Sequence, residues 1–243
     1  MKGLVSICLA LTFLTSAGAD EVIERREVDG VVYHVAMVPA ERLRLLWKDG
    51  EGRAMRTFPA VAAELRRRGD EPLMLMNGGI YEPGGIPSGL FIQDGKVLNP
   101  VNRRDGKGNF FLKPNGIFLI DAKGARVIDT AGWGAADGVK WAVQSGPLLL
   151  RKGKVHPAFR EHSENRLHRN GVGVRKDGMV VLAMSDGRSA KWPNLHGFAT
   201  FFQKLGCEDA LFLDGDISAI RVGKGMDEPS QDYGTFVAVV AAE

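Results

Sequence analysis

The chain has 243 residues and a formal net charge of +3 at pH 7. This length suits one large domain with a substantial core, and the small charge gives little support for nucleic acid or an anionic membrane as a partner. The 31 glycines stand mostly between short apolar runs, and no low-complexity stretch or fixed-period repeat occurs. Such a composition is typical of a strand-rich fold.

Residues 1–19 have the pattern of a secretory signal peptide. Lys2 supplies positive charge, an apolar run follows at 4–14, and the small residues Ala17 and Ala19 precede acidic Asp20. A retained membrane anchor is the alternative, but the run is shorter than the ~18 residues that a span requires. We therefore expect a signal peptide at 1–19 and a single mature domain at 20–243, periplasmic or secreted, with no stable membrane anchor.

The first part of the mature chain predicts two strands and a helix. Residues 31–38 and 42–47 are rich in β-branched and large apolar side chains and are flanked by turn signals, so we expect them to pair. Residues 57–68 keep apolar side chains at helical spacing, with Pro59 in the first turn and Gly69 as a stop signal.

The rest of the chain is predicted to be mostly sheet. A second helix is expected at 194–205, where Asn194 caps the start and Gly206 ends it. Further strands are expected at 210–213, 217–222 and 236–241. Four dipeptides with hairpin chemistry each separate two short apolar runs: Asp94-Gly95, Lys123-Gly124, Lys152-Gly153 and Asp177-Gly178. The predicted fold class is α+β, a strand-rich domain of mixed sheet with few helices.

Several catalytic patterns are absent from the sequence. It has no Gly-x-Ser-x-Gly turn, no Walker loop and no His-Glu-x-x-His helix, and the spacing of its five histidines does not specify a zinc site. Cys207 is the one cysteine beyond residue 19. A lone thiol cannot form an internal disulfide, so we expect Cys207 to pack in the core.

Two segments place polar groups next to glycines and basic residues. Asn77 ends an apolar run and precedes two glycines, which let backbone N–H groups approach an anion; a plain Asn-Gly turn is the alternative. Arg166 and Arg169 crowd the entrance to a predicted strand that begins near Asn170. Guanidinium forks bind phosphate or carboxylate oxygens at two points, although a solvated basic face is the alternative here.

Two other segments place carboxylates after strands. Asp186 leaves a strand two residues before Arg188, and a structural pair between the two side chains is one interpretation. Asp214 follows a fully apolar strand and precedes Gly215 and Asp216. An aspartate that emerges from a buried strand is desolvated, which shifts its pKa and favours a catalytic role.

Four short motifs occur in a fixed order: Asn-Gly-Gly at 77–79, Ser-Gly-Pro-Leu-Leu at 145–149, Arg-Asn-Gly-Val-Gly-Val at 169–174 and Leu-Asp-Gly at 213–215. Their order and intervals, over roughly residues 73–240, resemble the phosphodiester glycosidase superfamily. Segments 108–116 and 210–215 are most similar to its exported bacterial branch, of the exopolysaccharide type. The resemblance implies a mixed α+β domain with a groove where the motifs converge, and hydrolysis of a sugar-1-phosphodiester.

The resemblance also implies site residues, because Asn77, Arg169 and Asp214 match the superfamily's motif positions. We predict Asp214 and Asp186 as catalytic carboxylates. The predicted substrate-binding set is Asn77, Gly78, Gly79, Ser145, Arg166, Arg169, Asn170, Arg188, Gly215, Asp216 and Ser218. The chain departs from the lysosomal uncovering enzyme of the superfamily after Gly215: that enzyme has further glycines and then a serine, whereas this chain has Asp216, Ile217 and Ser218. We expect this difference in sequence to affect which substrate the protein accepts.

Three functions are compatible with these residues. The first is an exported hydrolase of sugar-phosphate diesters in envelope or extracellular glycans, with no cofactor. Its leaving group is a weak base, so charge stabilisation by arginine matters more than protonation, and one carboxylate serves as nucleophile or base. The second is a non-catalytic glycan-binding or polysaccharide-assembly protein on the same fold. The third is a phosphoesterase whose divalent cation is held by Asp186, Asp214 and Asp216.

The small-x-small pattern predicts that the exported protein begins at or near Asp20. Amino-terminal sequencing of protein recovered from the periplasm or medium checks this start point. An exported chain that still begins at Met1 would contradict it.

Overall fold

The computed structural model describes residues 22–242. The predicted signal peptide lies outside these residues. Within them, no helix is long and apolar enough to cross a membrane.

Residues 22–242 form eighteen strands and two α-helices. The first nine strands are β1 (Glu24–Val28), β2 (Val31–Val38), β3 (Leu43–Leu46), β4 (Pro72–Asn77), β5 (Tyr81–Glu82), β6 (Ile86–Pro87), β7 (Phe91–Gln93), β8 (Lys96–Asn99) and β9 (Gly116–Asp121). The other nine are β10 (Gly124–Asp129), β11 (Val139–Ser145), β12 (Leu148–Arg151), β13 (Lys154–Val155), β14 (Asn170–Arg175), β15 (Val180–Ser185), β16 (Cys207–Asp214), β17 (Ile220–Val222) and β18 (Phe236–Val240). The helices are α1 (Phe58–Arg67) and α2 (Leu195–Lys204).

Three sheets form the body of the domain. A seven-stranded sheet has the order β1-β2-β15-β14-β16-β12-β13, a five-stranded sheet has the order β10-β9-β11-β7-β8, and a four-stranded sheet has the order β17-β4-β18-β3. Strands β5 and β6 form a separate small hairpin. With two α-helices among the described residues, the structure confirms the strand-rich α+β class.

The main core fills the space between the three sheets. It combines apolar residues from all of them, such as Leu182 and Leu211 of the seven-stranded sheet, Phe118 of the five-stranded sheet and Met76 of the four-stranded sheet. Helix α2 covers the other face of the seven-stranded sheet, and α1 covers the other face of the four-stranded sheet. The loops that carry the candidate site therefore emerge from strands held on both faces.

Both helices agree with their sequence signals. The Thr57 hydroxyl accepts a hydrogen bond from the Ala60 N–H at 3.4 Å, and Gly69 takes a left-handed φ of +86° after the last turn of α1. At α2, the Asn194 side chain accepts from the Gly197 N–H at 2.8 Å, and Gly206 has a φ of +81°. All four predicted hairpins are present, and Cys207 is buried as expected.

Two strand predictions differ from the structure. Strands β2 and β3 do not pair: β2 lies between β1 and β15, whereas β3 pairs with β18 in another sheet. The predicted strand at 217–222 is limited to β17, because the chain first turns after β16, where the Ser218 N–H donates to the Gly215 carbonyl at 2.7 Å. This turn places Ser218 beside the end of β16.

Two glycines of β14 allow α2 to pack closely on the seven-stranded sheet. A Cβ at Gly171 would lie 2.8 Å from the Leu211 carbonyl oxygen and 3.2 Å from the Phe198 ring. A Cβ at Gly173 would lie 2.7 Å from Phe202. The Gly-Val-Gly motif at 171–173 is therefore explained by packing between sheet and helix.

We expect Gly171→Ala to destabilise the protein by about 1 to 3 kcal/mol, because the backbone oxygen of Leu211 cannot move away without disturbing the sheet. Thermal or urea unfolding measures the change. Gly134→Ala is the matched control, since a Cβ there meets nothing within 4 Å, and its effect should stay within about 0.5 kcal/mol. Equal unfolding midpoints for the two variants would contradict the packing explanation.

Candidate functional site

Asp214 stands where β16 ends, at the junction between two sheets. One carboxylate oxygen, Oδ1, accepts a hydrogen bond from the Gly215 N–H at 2.8 Å, and Oδ2 accepts from the Asn77 side-chain amide at 2.8 Å. Asn77 is the last residue of β4 in the four-stranded sheet. The hydrogen bond to Asp214 therefore joins the ends of strands from different sheets.

The amide of Asn77 has a fixed orientation. Its Oδ1 accepts from the Ala219 N–H at 2.8 Å and from the Asn170 side-chain nitrogen at 2.9 Å. With its oxygen facing two donors, its nitrogen must face Asp214. Asn170 also donates to the Asn77 carbonyl oxygen at 3.0 Å. The chain of contacts from Asn170 through Asn77 to Asp214 holds the carboxylate in one position.

Burial raises the pKa of Asp214 to about 6, from the ordinary value of 3.8. The hydrogen bonds from Gly215 and Asn77 lower the pKa and so oppose this effect, while the nearby Asp216 carboxylate adds to it. Desolvation is the largest of these causes. Asp214 is therefore mainly ionised at pH 7 but poorly solvated, which suits a nucleophile or a base.

An open cleft of about 510 Å³ begins at the turn that follows Gly215. Asp216, Ser218, Arg221 and Tyr233 contribute to its lining. The Ser218 hydroxyl donates to the Gly215 carbonyl at 2.6 Å, which keeps the turn closed. The predicted residues Asn77, Asn170, Asp214 and Gly215 are thus brought together, with Asp216 and Ser218 on the adjoining cleft.

Two arginines, one beside Tyr81 and one beside Tyr233, were missed by sequence reasoning. Arg221 lines the cleft, its buried Nε has no hydrogen-bond partner among residues 22–242, and its Nη1 donates only to its own strand, at Ile220 O. The Nε of Arg56 is likewise buried without a partner there. Burial raises the pKa of both Tyr81 and Tyr233, and the charge of Asp214 is close enough to add to the shift at each. An arginine opposes the shift at both phenols, Arg56 at Tyr81 and Arg221 at Tyr233. No motif in the sequence marked either arginine.

Arg169 occupies a different environment from the exposed fork that the sequence suggested. It is 1% exposed, and its guanidinium donates to the backbone oxygens of Pro193 at 3.1 Å and Asn165 at 3.2 Å. Burial lowers the pKa of Arg169 to about 10, so it stays charged at neutral pH, and its charge lies close enough to Asp216 to interact with it. Its hydrogen bonds fasten two loops together. Arg166 is exposed and lines another groove.

The glycines after Asn77 are packed rather than open to an anion. The Gly78 N–H donates to the Thr235 carbonyl at 2.7 Å, and the Gly79 N–H donates to the Thr235 hydroxyl at 3.0 Å. The expectation that these two amides approach an anion is therefore wrong, because both already have acceptors. The Ser145 hydroxyl donates to the Leu213 carbonyl at 3.0 Å and so supports the end of β16 from behind.

Asp186 is not joined to the Asp214 network. Its Oδ1 accepts from the backbone N–H of Arg188 at 2.8 Å, and its Oδ2 lies 3.4 Å from the His34 ring. The Arg188 N–H is the largest cause that lowers the pKa of Asp186, opposite to the shift at Asp214. In the described part of the chain, the expected side-chain pair of Asp186 and Arg188 is replaced by this backbone contact.

His168 connects the two regions. Its Nδ1 lies 2.9 Å from the Ser185 hydroxyl and its Nε2 lies 2.9 Å from the Ser218 carbonyl oxygen. The carbonyl requires a proton on Nε2, so Nδ1 accepts from Ser185. Burial lowers the pKa of His168, which favours this neutral form. The ring supports the turn that carries Ser218.

Residues 22–242 contain no group of three or more histidine, cysteine or acidic side chains that could hold a metal ion. Asp186, Asp214 and Asp216 therefore do not form the ligand set required by the metal-dependent alternative. The candidate site consists of the desolvated Asp214 carboxylate, its amide partners and Arg221 on the adjoining cleft.

The chain matches known proteins over the residues that form the candidate site. The family model described as phosphodiester glycosidase matches residues 71–240. The chain is also 32% identical over 250 residues to the uncharacterized protein YigE of Escherichia coli (strain K12), with 100% of this chain and 96% of that protein covered.

Solved structures share the fold at low sequence identity. The catalytic domain of zebrafish N-acetylglucosamine-1-phosphodiester alpha-N-acetylglucosaminidase, auto-inhibited by its pro-peptide, matches with a TM-score of 0.62 and 21% identity, over 89% of this chain and 81% of that chain. A predicted exported protein of Burkholderia pseudomallei K96243 matches with a TM-score of 0.53 and 14% identity, over 86% and 74% of the two chains. The structural likeness confirms the fold, and the match over 71–240 identifies the chain as a member of the phosphodiester glycosidase family.

Proposed function

We propose that the protein is an exported hydrolase that cleaves the bond between a sugar and a phosphodiester in envelope or extracellular glycans. The observation that carries the proposal is the Asp214 carboxylate, desolvated and oriented by Asn77 at the edge of a cleft that contains Arg221. Membership of the phosphodiester glycosidase family and the reaction named for the zebrafish enzyme support the same chemistry.

The charges of Arg221 and Arg56 are complementary to that of the substrate. A phosphodiester carries a negative charge, and the phosphate that leaves the sugar becomes more negative in the transition state. Arg221 and Arg56 each have a buried Nε without a partner in the described chain. Leaving such a donor unpaired is costly, so a phosphate oxygen that accepts from it would gain binding energy. These two residues are our candidates for the phosphate site.

Asp214 would then act at the anomeric carbon. As a nucleophile it would form a glycosyl-enzyme intermediate, and as a base it would activate water; both routes pass through an oxocarbenium-like transition state. The weakly basic phosphate leaves without a proton, so one carboxylate suffices. The two roles give opposite anomers of the released sugar, which NMR of the fresh product distinguishes.

Export is part of the proposal. The pattern at residues 1–19 supports it, and so does the name of the Burkholderia relative, which describes a predicted exported protein. An exported enzyme meets glycans of the envelope or the medium rather than cytoplasmic sugar nucleotides. Asp216 and Ser218 line the cleft where the chain departs from the uncovering enzyme, and we assign them to the choice of sugar or aglycone.

The raised pKa of Asp214 predicts how stability depends on pH. Between pH 3.8 and about 6 the folded protein keeps a proton on Asp214 that the unfolded chain releases. The free energy of unfolding therefore decreases as pH rises through this window. Asp214→Asn removes the decrease, so the melting temperature of the variant relative to wild type should rise from about pH 4 to about pH 7.

Thermal melting at a series of pH values measures this difference. Asp137→Asn is the matched control, because it removes an exposed carboxylate that is not among the charges that shift the pKa of Asp214, and it should keep the wild-type pH dependence. A difference in melting temperature between Asp214→Asn and wild type that is the same at all pH values would contradict the desolvation of Asp214.

The proposed reaction predicts which bond breaks in p-nitrophenyl-phospho-N-acetylglucosamine. Cleavage at the anomeric carbon releases N-acetylglucosamine and p-nitrophenyl phosphate, whereas a phosphoesterase would release coloured p-nitrophenol. We expect the first pair of products, unaffected by a chelator. Asp214→Asn should lower turnover by about 10² to 10⁴-fold, and Asp216→Asn should mainly change substrate preference.

Each of the following results would contradict a specific part of the proposal. Release of p-nitrophenol that stops with chelator would favour a metal-dependent phosphoesterase. A folded Asp214→Asn protein with near-normal turnover would exclude Asp214 as the reacting group. Binding of the sugar phosphodiester without turnover, tested also with glycan diesters, would favour a glycan-binding protein.

A further inference from the structure

A groove of about 1000 Å³ lies beside the start of α2, on the outer face of the seven-stranded sheet. Tyr33 of β2, Trp192 and the first residues of α2 contribute to its lining. Arg166, which the sequence predicted to bind substrate, lies in this groove and not in the cleft beside Asp214. The groove has no role in the reaction proposed above.

The charged residues of the groove are mainly basic. Arg166, Lys191 and Lys204 line it together with the carboxylates Asp29 and Glu161. Lys204 pairs with Asp29 at 3.2 Å, whereas Arg166 and Lys191 form no ion pair with any residue in the described range 22–242. Glu161 is exposed and lines the same groove, so its carboxylate offsets one of these two cations. The groove therefore has an excess of one positive charge.

The N-terminus of α2 also opens into the groove. Its cap, Asn194, accepts from the Gly197 N–H, so the N–H groups of Leu195 and His196 have no acceptor within the helix. The first turn contains no acidic residue that would offset the positive end of the helix dipole. Such an end favours an anion.

Tyr33 gives an independent indication of a ligand. It is 2% exposed, and its ring stacks on Phe201 with centroids 3.8 Å apart. The residue lines the groove, and no hydrogen bond to its hydroxyl is found within the described residues. Burial raises the pKa of Tyr33, the Asp29 carboxylate raises it further, and the charges of Arg166 and Arg169 oppose the shift. The phenol is therefore a protonated donor beside the groove, with charges of both signs nearby.

We propose that this groove binds an oxyanion, a phosphate or a carboxylate, carried on a sugar residue. The Tyr33 hydroxyl, the first N–H groups of α2 and the side chains of Arg166 and Lys191 supply the donors. The indole of Trp192 is fixed by donation from Nε1 to the Asp186 carbonyl at 3.3 Å and offers an aromatic surface to the sugar ring. The site is distinct from Asp214, and its occupation requires no turnover.

Calorimetric titration of the exported protein tests the proposal with four probes: inorganic phosphate, glucose 6-phosphate, glucuronate and glucose. We expect saturable binding of the anionic probes that weakens with added salt, and none of glucose. Tyr33→Phe, which removes one oxygen, and Lys191→Gln should each weaken binding by about ten-fold. Lys176→Gln is the control, because Lys176 is exposed and lies outside the groove. Its Nζ is 3.4 Å from Oε1 of Glu208.

Preference for glucose 6-phosphate would assign the groove to a phosphate, and preference for glucuronate would assign it to a carboxylate. Both outcomes support the proposal. It is overturned if no anionic probe binds saturably, if glucose binds equally well, or if Lys191→Gln binds like Lys176→Gln. The Lys191 variant decides the result if Tyr33→Phe does not fold, because Lys191 is exposed. Since binding is measured without hydrolysis, failure here leaves the proposed reaction untouched.

Discussion

The hydrogen bond between Asn77 and Asp214 is the interaction on which the site depends. It joins β4 of the four-stranded sheet to β16 of the seven-stranded sheet, at the point where both strands end. Asn170, the first residue of β14, holds Asn77 from the other side. Because the three side chains belong to strands packed in apolar cores, their geometry is set by the body of the fold rather than by mobile loops. A carboxylate placed there loses water but keeps two N–H donors.

Three of the residues discussed above carry a buried polar atom without a hydrogen-bond partner in the described chain. The side-chain oxygen of Asn170 and the Nε atoms of Arg56 and Arg221 are buried without hydrogen bonds in the described chain. Folding alone does not favour such atoms, since each costs free energy that an apolar side chain would not. Asn170 is linked to Asp214 through Asn77, and Arg221 lines the adjoining cleft, which agrees with a site that offsets this cost by binding an anionic substrate.

Local signals in the sequence predicted much of the fold and part of the site. The caps at Thr57 and Asn194 and the hairpin turns depend on a few neighbouring residues, and the apolar strand before Asp214 indicated its desolvation. The pairing of β2 and β3 could not be predicted in this way, because it depends on which distant strands compete for each edge. Arg56 and Arg221 were missed for a similar reason. A short sequence pattern does not show whether a guanidinium has a hydrogen-bond partner in the folded protein.

Arg169 combines a structural role with a charge close to the site. Its Nε donates to the Pro193 oxygen and its Nη2 to the Asn165 oxygen, which leaves three of the five N–H groups of the guanidinium for other acceptors. It remains charged, and its charge lies near Asp216 on one side and near Tyr33 on the other. A buried cation is poorly screened by salt and water. Arg169 therefore gives the cleft and the groove a common positive potential while it fastens the loops that separate them, so that position and charge are set by the same side chain.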